Sequence, residues 1–335
     1  MIHYLDDLLF LGPPNSGECR KSFLTALATC NELGVPVAVE KLEGPTTCVR
    51  FLGIELNSLS MSLKLPERQM ASLKSGLASL VWAKCVCDLH QLQSLIGHLV
   101  HACQVLRIPL GKAFLNHLFH LANSMHPGHT RRLNCLARAD ITWWQIMCDG
   151  WSGILFHQFL QLHQPAHHLF TDASGTWGCG VWSAPFWFNL QWSEGNPLHS
   201  IVLKELFPVV LACAGWGRRW TVTYILCHSD NVAAVSQVNR LHARDHLASH
   251  LLRCLALFMA KFDFSLRAVH IAGRLNTGAD YLSRGRVQPF VTIHSSASPF
   301  PTQVPQELVD MLLCPQHEWT SPSWRQLYSS FWRRV

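Results

Sequence analysis

Between residues 165 and 285 the sequence alternates between strand-like and helix-like periods, and this order constrains the fold more than any other feature. Three apolar, strand-like runs lie at 167–173, 177–182 and 187–192, with turn residues between them. A helical pattern at 200–215 follows, and then a strand, two helices, a strand and a short helix. Strands interleaved with helices in this way predict an α/β domain, α+β overall, with a mixed sheet flanked by helices.

Four acidic residues lie at the ends of these strands or on the helices. They are Asp172 in Thr-Asp-Ala-Ser, Glu205 in Lys-Glu-Leu, Asp230 in Ser-Asp-Asn and Asp280 in Ala-Asp-Tyr-Leu-Ser. Carboxylates packed within a few ångströms of one another repel, and the repulsion raises their pKa values. Two Mg²⁺ ions about 3.5–4 Å apart relieve this repulsion and create a centre for displacement at phosphorus.

The element order and the four local signatures together resemble the ribonuclease H domain of retroelement polymerases, over residues 165–285. The resemblance implies hydrolysis of the RNA strand of RNA–DNA hybrids with two Mg²⁺ ions, for which Mn²⁺ is a substitute. It assigns Asp172 to both ions, Glu205 and Asp230 to one ion, and Asp280 to the other. It also implies that His270 moves a proton or helps the product to leave. An ordinary surface histidine at a strand end is the alternative for His270.

The chain opens with Met-Ile-His-Tyr-Leu-Asp-Asp-Leu-Leu-Phe, in which apolar runs flank Asp6 and Asp7. This pattern predicts a β-hairpin with the two acids at its turn, where they would bind Mg²⁺. A polar turn without a metal is the alternative for an isolated Asp-Asp pair. The Tyr-x-Asp-Asp string, followed by Phe-Leu-Gly-Ile at 51–54, resembles the metal-binding and primer-grip hairpins of reverse transcriptases. In that family a further palm aspartate and the fingers precede this point. Residues 1–57 are therefore interpreted as a truncated palm, with RNA-directed DNA polymerase activity expected to be lost.

Helical patterns at 68–80 and 88–106 resemble the thumb of the same family, and residues 58–164 are interpreted as a helical thumb and connection. In that family the thumb tracks the duplex backbone, so its basic residues are candidate phosphate contacts whose binding should weaken as salt rises. The candidates are Lys74, Lys84, Arg107 and Lys112. A solvated surface charge is the alternative for each of them.

The C-terminal part is rich in Pro and Ser at 286–306, which predicts a linker. Residues 307–335 resemble the beginning of the helical recombinase region that follows ribonuclease H in DIRS-type, tyrosine-recombinase retrotransposons. The whole chain therefore resembles a fragment of a retrotransposon polyprotein, in the order palm end, thumb, connection, ribonuclease H and recombinase edge.

Composition limits the compartment and the partners. The 13 cysteines are scattered and no secretory leader opens the chain, so an intracellular location, in the cytoplasm or nucleus, is expected. The long uncharged runs at 89–106 and 150–171 contain His and Gln, so they are not expected to span a membrane, and no membrane partner is predicted.

The charge of residues 165–285 is a further indication of the partner. This region contains ten Lys and Arg residues but only three acidic residues besides the four candidate ligands. This basic background suits an RNA–DNA hybrid. The alternative function is a non-catalytic nucleic-acid-binding remnant of the same polymerase.

Overall fold

The computed structural model describes residues 1–82, 86–105, 110–150, 154–155 and 165–314. The chain divides into two compact units. The first contains residues 1–71 and the short strand at 154–155, and the second contains the other described residues. Within the described ranges, no helix is long and apolar enough to cross a lipid bilayer.

The strands of the described residues are, in chain order, β1 (Ile2–Tyr4), β2 (Asp7–Leu9), β3 (Cys48–Phe51), β4 (Ile54–Asn57), β5 (Ser62–Lys64), β6 (Val86–Asp88), β7 (Thr130–Arg132), β8 (Ile154–Leu155), β9 (His167–Ala173), β10 (Gly178–Ser183), β11 (Phe186–Gln191), β12 (Tyr224–Ser229) and β13 (Ser265–His270). The α-helices are α1 (Glu18–Glu32), α2 (Glu67–Trp82), α3 (Leu89–Ala102), α4 (Asn116–Asn123), α5 (Cys135–Gly150), α6 (Ile201–Trp216), α7 (Val232–Arg240), α8 (His246–Phe262), α9 (Thr277–Ser283), α10 (Val287–Ile293) and α11 (Gln306–Leu313).

The first unit is built from two antiparallel sheets and helix α1. Strands β1 and β2 form the predicted N-terminal hairpin, in which Tyr4 lies opposite Asp7. The second sheet has the order β3-β4-β5-β8. Its first hairpin turns at Leu52 and Gly53, whose φ values of 51° and 74° suit the type I′ turn of a two-residue loop. Helix α1 buries none of its residues.

The centre of the second unit is a five-stranded mixed sheet with the order β11-β10-β9-β12-β13. Strands β9, β10 and β11 form an antiparallel meander, whereas β12 runs parallel to both β9 and β13. Parallel neighbours need a crossover connection, and helix α6 supplies the one between β11 and β12. The α+β class and the mixed sheet flanked by helices that the sequence predicts are confirmed.

Helices α6 and α8 pack against each other within this unit and bury most of their apolar side chains. Helix α9 crosses strand β10 at Gly180, where an added Cβ atom would lie 2.6 Å from the carbonyl oxygen of Ala279 and would collide with Leu282. The glycine therefore permits a close approach of α9 to the sheet.

We call the described residues from 165 onwards the sheet domain, and helices α3, α4 and α5 the helical part of the second unit. The helical part contacts the sheet domain through α8, which packs on the turn at 110–114. Helix α3 begins at Asp88, whose carboxylate accepts a hydrogen bond from the backbone N–H of Gln91 in a capping box. The Trp143 ring of α5 is fully buried and stacks on Phe114 at 3.9 Å between ring centroids. The guanidinium of Arg253 in α8 lies 5.0 Å from the Phe114 ring centre. The predicted helices at 68–80 and 88–106 correspond to α2 and α3.

The segment predicted as a Pro- and Ser-rich linker is instead packed on the sheet domain. Helix α10 inserts Phe290, which is fully buried, against Trp187 and Leu282. The indole N–H of Trp187 donates to the carbonyl oxygen of Ser298 at 2.7 Å, and the N–H of Thr302 donates to that of Trp187 at 2.7 Å. The linker prediction is wrong because the aromatic partners come from β11, about 100 residues earlier. Of the predicted recombinase-like region, only α11 is described, and residues 315–335 lie outside the described residues.

Candidate active site

The parallel pairing of β9 and β12 brings two of the predicted acids to the same edge of the sheet. Asp172 is the sixth residue of β9, the central strand, and Asp230 directly follows β12. Strands β9 and β12 run side by side in the register Leu169 opposite Cys227, so their carboxyl ends meet. Glu205 comes from the second turn of α6, whose N-terminus is capped by the Ser200 hydroxyl. Three different elements therefore deliver three carboxylates to one place.

Asp172, Glu205 and Asp230 form the one group of three or more metal-ligating side chains found among the described residues. One ligand atom from each lies within 4.8 Å of the others. Asp172 is 7% exposed and Glu205 is 4% exposed, whereas Asp230 is half-buried. We refer to these three residues as the carboxylate cluster.

Burial dominates the electrostatics of the carboxylate cluster. It raises the pKa of Glu205 to about 9, and the charges of Asp172 and Asp230 add to the rise. It also raises the pKa of Asp172 to about 6; a hydrogen bond from Ser283 opposes this rise, and the charges of Asp230 and Asp280 add to it. Without a cation, the cluster therefore disfavours its fully ionised form.

The hydrogen bonding of Glu205 tests whether a divalent cation fits. Its Oε1 atom accepts a hydrogen bond from the backbone N–H of Ala173 at 3.3 Å. Its Oε2 atom is buried, and no donor of the described residues hydrogen-bonds to it, although the Ser229 side chain is close enough to lower the pKa of Glu205. A buried carboxylate oxygen without a partner is costly, and hard cations such as Mg²⁺ bind carboxylate oxygens. The residues therefore fit Mg²⁺ at this position.

Asp280, the fourth predicted ligand, does not belong to the carboxylate cluster. It lies in α9 with its side chain 36% exposed, and its Oδ1 atom accepts a hydrogen bond from Nε of Arg284 at 2.7 Å, one helical turn later. Its charge still raises the pKa of Asp172, so the two carboxylates lie within electrostatic range. The structure places Asp280 beside the cluster and pairs it with Arg284, and its role as a metal ligand stays a prediction.

The loop between β13 and α9 supports the cluster, and the sequence analysis did not identify its residues. A Cβ atom added to Gly273 would lie 3.0 Å from Oδ2 of Asp230. Asn276 is 1% exposed, and its side-chain N–H donates to the carbonyl oxygen of Thr171, next to Asp172, at 2.9 Å. A polar residue before a short helix is a weak signal that a cap or anchor is present. Its partner in β9 is 105 positions away.

His270 is the last residue of β13 and is exposed. It pairs in register with Ser229, the residue before Asp230. The structure therefore places His270 at the same edge of the sheet as the carboxylate cluster, and its role in proton transfer or product release stays a prediction.

Asp6 and Asp7 lie in the first unit and are exposed, Asp6 in the hairpin turn and Asp7 at the start of β2. Among the described residues, no third metal-ligating side chain joins them in a compact group.

The predicted phosphate contacts are partly described. Lys74 in α2 and Lys112 in the 3₁₀ turn Leu110–Phe114 are exposed. Lys84 and Arg107 lie outside the described residues. The roles of these four residues, and those of Asp6 and Asp7, stay predictions.

Comparisons with known proteins give a likeness to reverse transcriptases at low similarity. No protein-family model matches the chain, and no curated protein matches it. Eight chains of known structure match. One is the foamy viral protease-reverse transcriptase dRH in complex with double-stranded DNA, with 10% identity, a TM-score of 0.38, and coverage of 77% of this chain and 44% of that chain. Another is the foamy viral protease-reverse transcriptase in complex with an RNA/DNA hybrid, with 10% identity, a TM-score of 0.36, and coverage of 77% and 34%. The chain therefore spans less than half the length of either neighbour.

Proposed function

We propose that this chain is a ribonuclease H, which hydrolyses the RNA strand of RNA–DNA hybrids at a site that binds two Mg²⁺ ions. The observation that carries the proposal is the convergence of Asp172, Glu205 and Asp230 within 4.8 Å. These residues are 33 and 25 positions apart in the sequence and come from a strand, a helix and a loop. A buried set of oxygen ligands from separate elements is typical of a site for hard divalent cations.

Each residue has a distinct part in this proposal. When bound, Mg²⁺ would activate the attacking water and stabilise the leaving oxygen. Asp172 would hold both ions from the central strand, Glu205 and Asp230 would help to hold one, and Asp280 would complete the other. Hydrolysis forms a bond between the water oxygen and phosphorus and breaks the bond from phosphorus to the 3′ oxygen, which leaves with a proton. The exposed His270 at the same edge would move that proton or assist release of the product.

The proposed substrate class follows from the chemistry of RNA and from the charge of the chain. The 2′-hydroxyl is the sugar group by which a protein distinguishes RNA from DNA in a strand lying along the cluster. The basic background of residues 165–285, ten Lys and Arg against three remaining acids, supports binding of a polyanion. An RNA–DNA hybrid held through its phosphates, with the RNA strand at the cluster, fits both features.

A cleavage assay on the full chain tests this proposal. With Mg²⁺ or Mn²⁺, the chain should cut the RNA strand of a labelled hybrid and spare double-stranded DNA. Asp172→Asn and Glu205→Gln should each lower the rate by about a hundredfold or more, because each removes charge that stabilises the transition state through the bound cations. Glu307→Gln, an exposed change in α11, is the matched control and should retain the rate.

Two outcomes would contradict the proposal. Cleavage that survives Asp172→Asn would show that a different group or a contaminant is responsible. Binding of the hybrid without cleavage by the unmodified chain would favour the alternative, a non-catalytic nucleic-acid-binding protein of the same origin.

We also propose that the chain comes from a DIRS-type retrotransposon polyprotein. The support is the order of the motifs along the chain, from the Tyr-x-Asp-Asp string at 4–7 to the recombinase-like sequence at 307–335. Sequencing of the genomic locus and its transcript tests this origin. A tyrosine-recombinase reading frame downstream is expected, and an unrelated host gene on both sides would refute the proposal.

A further inference from the structure

The ion pair between Asp280 and Arg284 lies within electrostatic range of Asp172 in the carboxylate cluster. Arg284 donates from Nε to Oδ1 of Asp280 at 2.7 Å, and its side chain is 52% exposed. Asp280 is thereby paired with an internal cation, whereas no ion pair to the three carboxylates of the cluster is present among the described residues. The guanidinium and a divalent cation would therefore both be attracted to the Asp280 carboxylate.

Helix α9 is anchored at both sides of this pair, so its backbone cannot easily carry Asp280 closer to the cluster. Gly180 of β10 touches the backbone of Ala279 and the side chain of Leu282. At the end of the helix, Gly285 has a φ of 70° and lies against the Trp177 ring. Because close packing holds the backbone of α9, a change of the Asp280 side-chain rotamer is the most direct way for its carboxylate to approach the cluster, and such a change would compete with its contact to Arg284.

We propose that Arg284 is a positioning residue that holds Asp280 away from the cluster and then binds a phosphate of the nucleic acid once Asp280 turns to a divalent cation. The inference rests on the proposed function, because the cation and the phosphate belong to that reaction. A guanidinium suits both partners, since its fork of donors matches carboxylate and phosphate groups alike. Among the described residues the Arg284 side chain donates a hydrogen bond only to Asp280 and is half exposed, so its remaining N–H groups are open to the incoming strand.

This exchange predicts effects of opposite sign on two ligands. Loss of the guanidinium frees Asp280 and removes a nearby positive charge, so a divalent cation should bind more tightly. The same loss removes a phosphate contact, so the hybrid should bind more weakly. A purely structural role for Arg284 would instead weaken both, because damage to α9 disturbs the whole site.

The experiment titrates Mn²⁺ into the full chain, without nucleic acid, and follows free Mn²⁺ by electron paramagnetic resonance. Arg284→Ala should bind Mn²⁺ about two- to fivefold more tightly than the unmodified chain, the range expected for loss of an exposed ion pair. Arg284→Lys, which keeps the charge, should stay within about twofold of the unmodified chain. Arg286→Ala is the matched control, because this exposed arginine lies two residues away and changes the net charge equally.

The same variants are then tested for hybrid affinity in Ca²⁺, a hard cation like Mg²⁺. Arg284→Ala should weaken hybrid binding more than Arg286→Ala does, and Arg284→Lys should lie between them. Equal effects of the two alanine variants on both ligands would overturn the inference while leaving the cleavage proposal intact. Absence of Mn²⁺ binding by the unmodified chain would overturn both.

Discussion

Glu205 places a carboxyl group at the buried centre of the candidate site, and its protonation couples pH to stability. An acid whose pKa rises on folding binds its proton more tightly in the folded state. For Glu205 the pKa rises from 4.5 to about 9. The stability that this proton contributes is complete below pH 4.5 and is lost as the pH rises towards about 9.

We expect thermal unfolding in EDTA to show this loss between pH 5 and pH 9. Glu205→Gln, which cannot ionise, should flatten the decline and should be the more stable protein at pH 9. Mg²⁺ should stabilise the unmodified chain more at high pH than at low pH, because the cation replaces the proton. Parallel pH profiles for Glu205→Gln and the control Glu307→Gln would show that Glu205 does not carry the effect.

Gly273 makes a second prediction at the residue scale. A Cβ at this position would lie 3.0 Å from Oδ2 of Asp230, so Asp230 would have to shift by a few tenths of an ångström. Gly273→Ala should therefore weaken Mn²⁺ binding and slow cleavage, with a stability change within about 1 kcal/mol. Gly97→Ala in α3, where the added Cβ meets no atom within 4 Å, is the control. Unchanged Mn²⁺ affinity in Gly273→Ala would contradict the proposed role of Asp230.

At the scale of elements, a buried ion pair joins the sheet domain to the helical part of the second unit. Arg253 of α8 contacts Asp140 of α5 at 2.8 Å, and both side chains are almost completely buried. Asp140 also accepts a hydrogen bond from the backbone N–H of His117, at the start of α4, at 3.1 Å. The pair therefore connects α8 to α4 and α5, two neighbouring helices that lie far from α8 in the sequence.

Breaking this pair should be strongly destabilising. Asp140→Ala leaves the Arg253 charge buried without its carboxylate, and we expect a loss of about 3–5 kcal/mol in the free energy of unfolding, measured in urea. The double variant Asp140→Leu with Arg253→Met removes both charges and should recover much of the loss. A double variant as unstable as Asp140→Ala would show that packing, rather than the unpaired charge, sets the cost.

At the scale of the whole second unit, the C-terminal segment supports helix α9, which carries Asp280 and is followed directly by Arg284. Phe290 of α10 is fully buried and packs against Leu282 of α9 and against Trp187, at 5.4 Å between ring centres. The segment around Ser298 and Thr302 then follows the edge strand β11 through backbone hydrogen bonds. Residues 286–302 are therefore part of the sheet domain, and a fragment ending at residue 285 would lose this support.

Phe290→Ala should cost about 3–5 kcal/mol in the free energy of unfolding, because it leaves a cavity among buried aromatic rings. Ile293→Ala, on the same helix but 55% exposed, should cost less than about 1 kcal/mol. Urea unfolding of the full chain measures both. Similar costs for the two variants would show that α10 does not stabilise the sheet domain.

The linear sequence was sufficient for the local parts of this description. Period and turn residues predicted the strands and helices of 165–285 and the hairpin at 2–9, because such signals depend on near neighbours. The four acids were predicted as ligands from their short local signatures and from the order in which those signatures resemble a known family. The linker prediction failed because composition does not show that Phe290 has buried partners in distant elements.

Only the tertiary structure decided which charges meet. The parallel pairing of β9 with β12 joined Asp172 to Asp230, and the crossover helix brought Glu205 to them. Close packing at Gly180 fixed the path of α9, which left Asp280 outside the cluster, where it pairs with Arg284 four residues later. The local sequence determines where a side chain lies along its own strand or helix. The distances between charges on different elements depend on how those elements pack, and burial then sets how strongly each carboxyl group holds its proton.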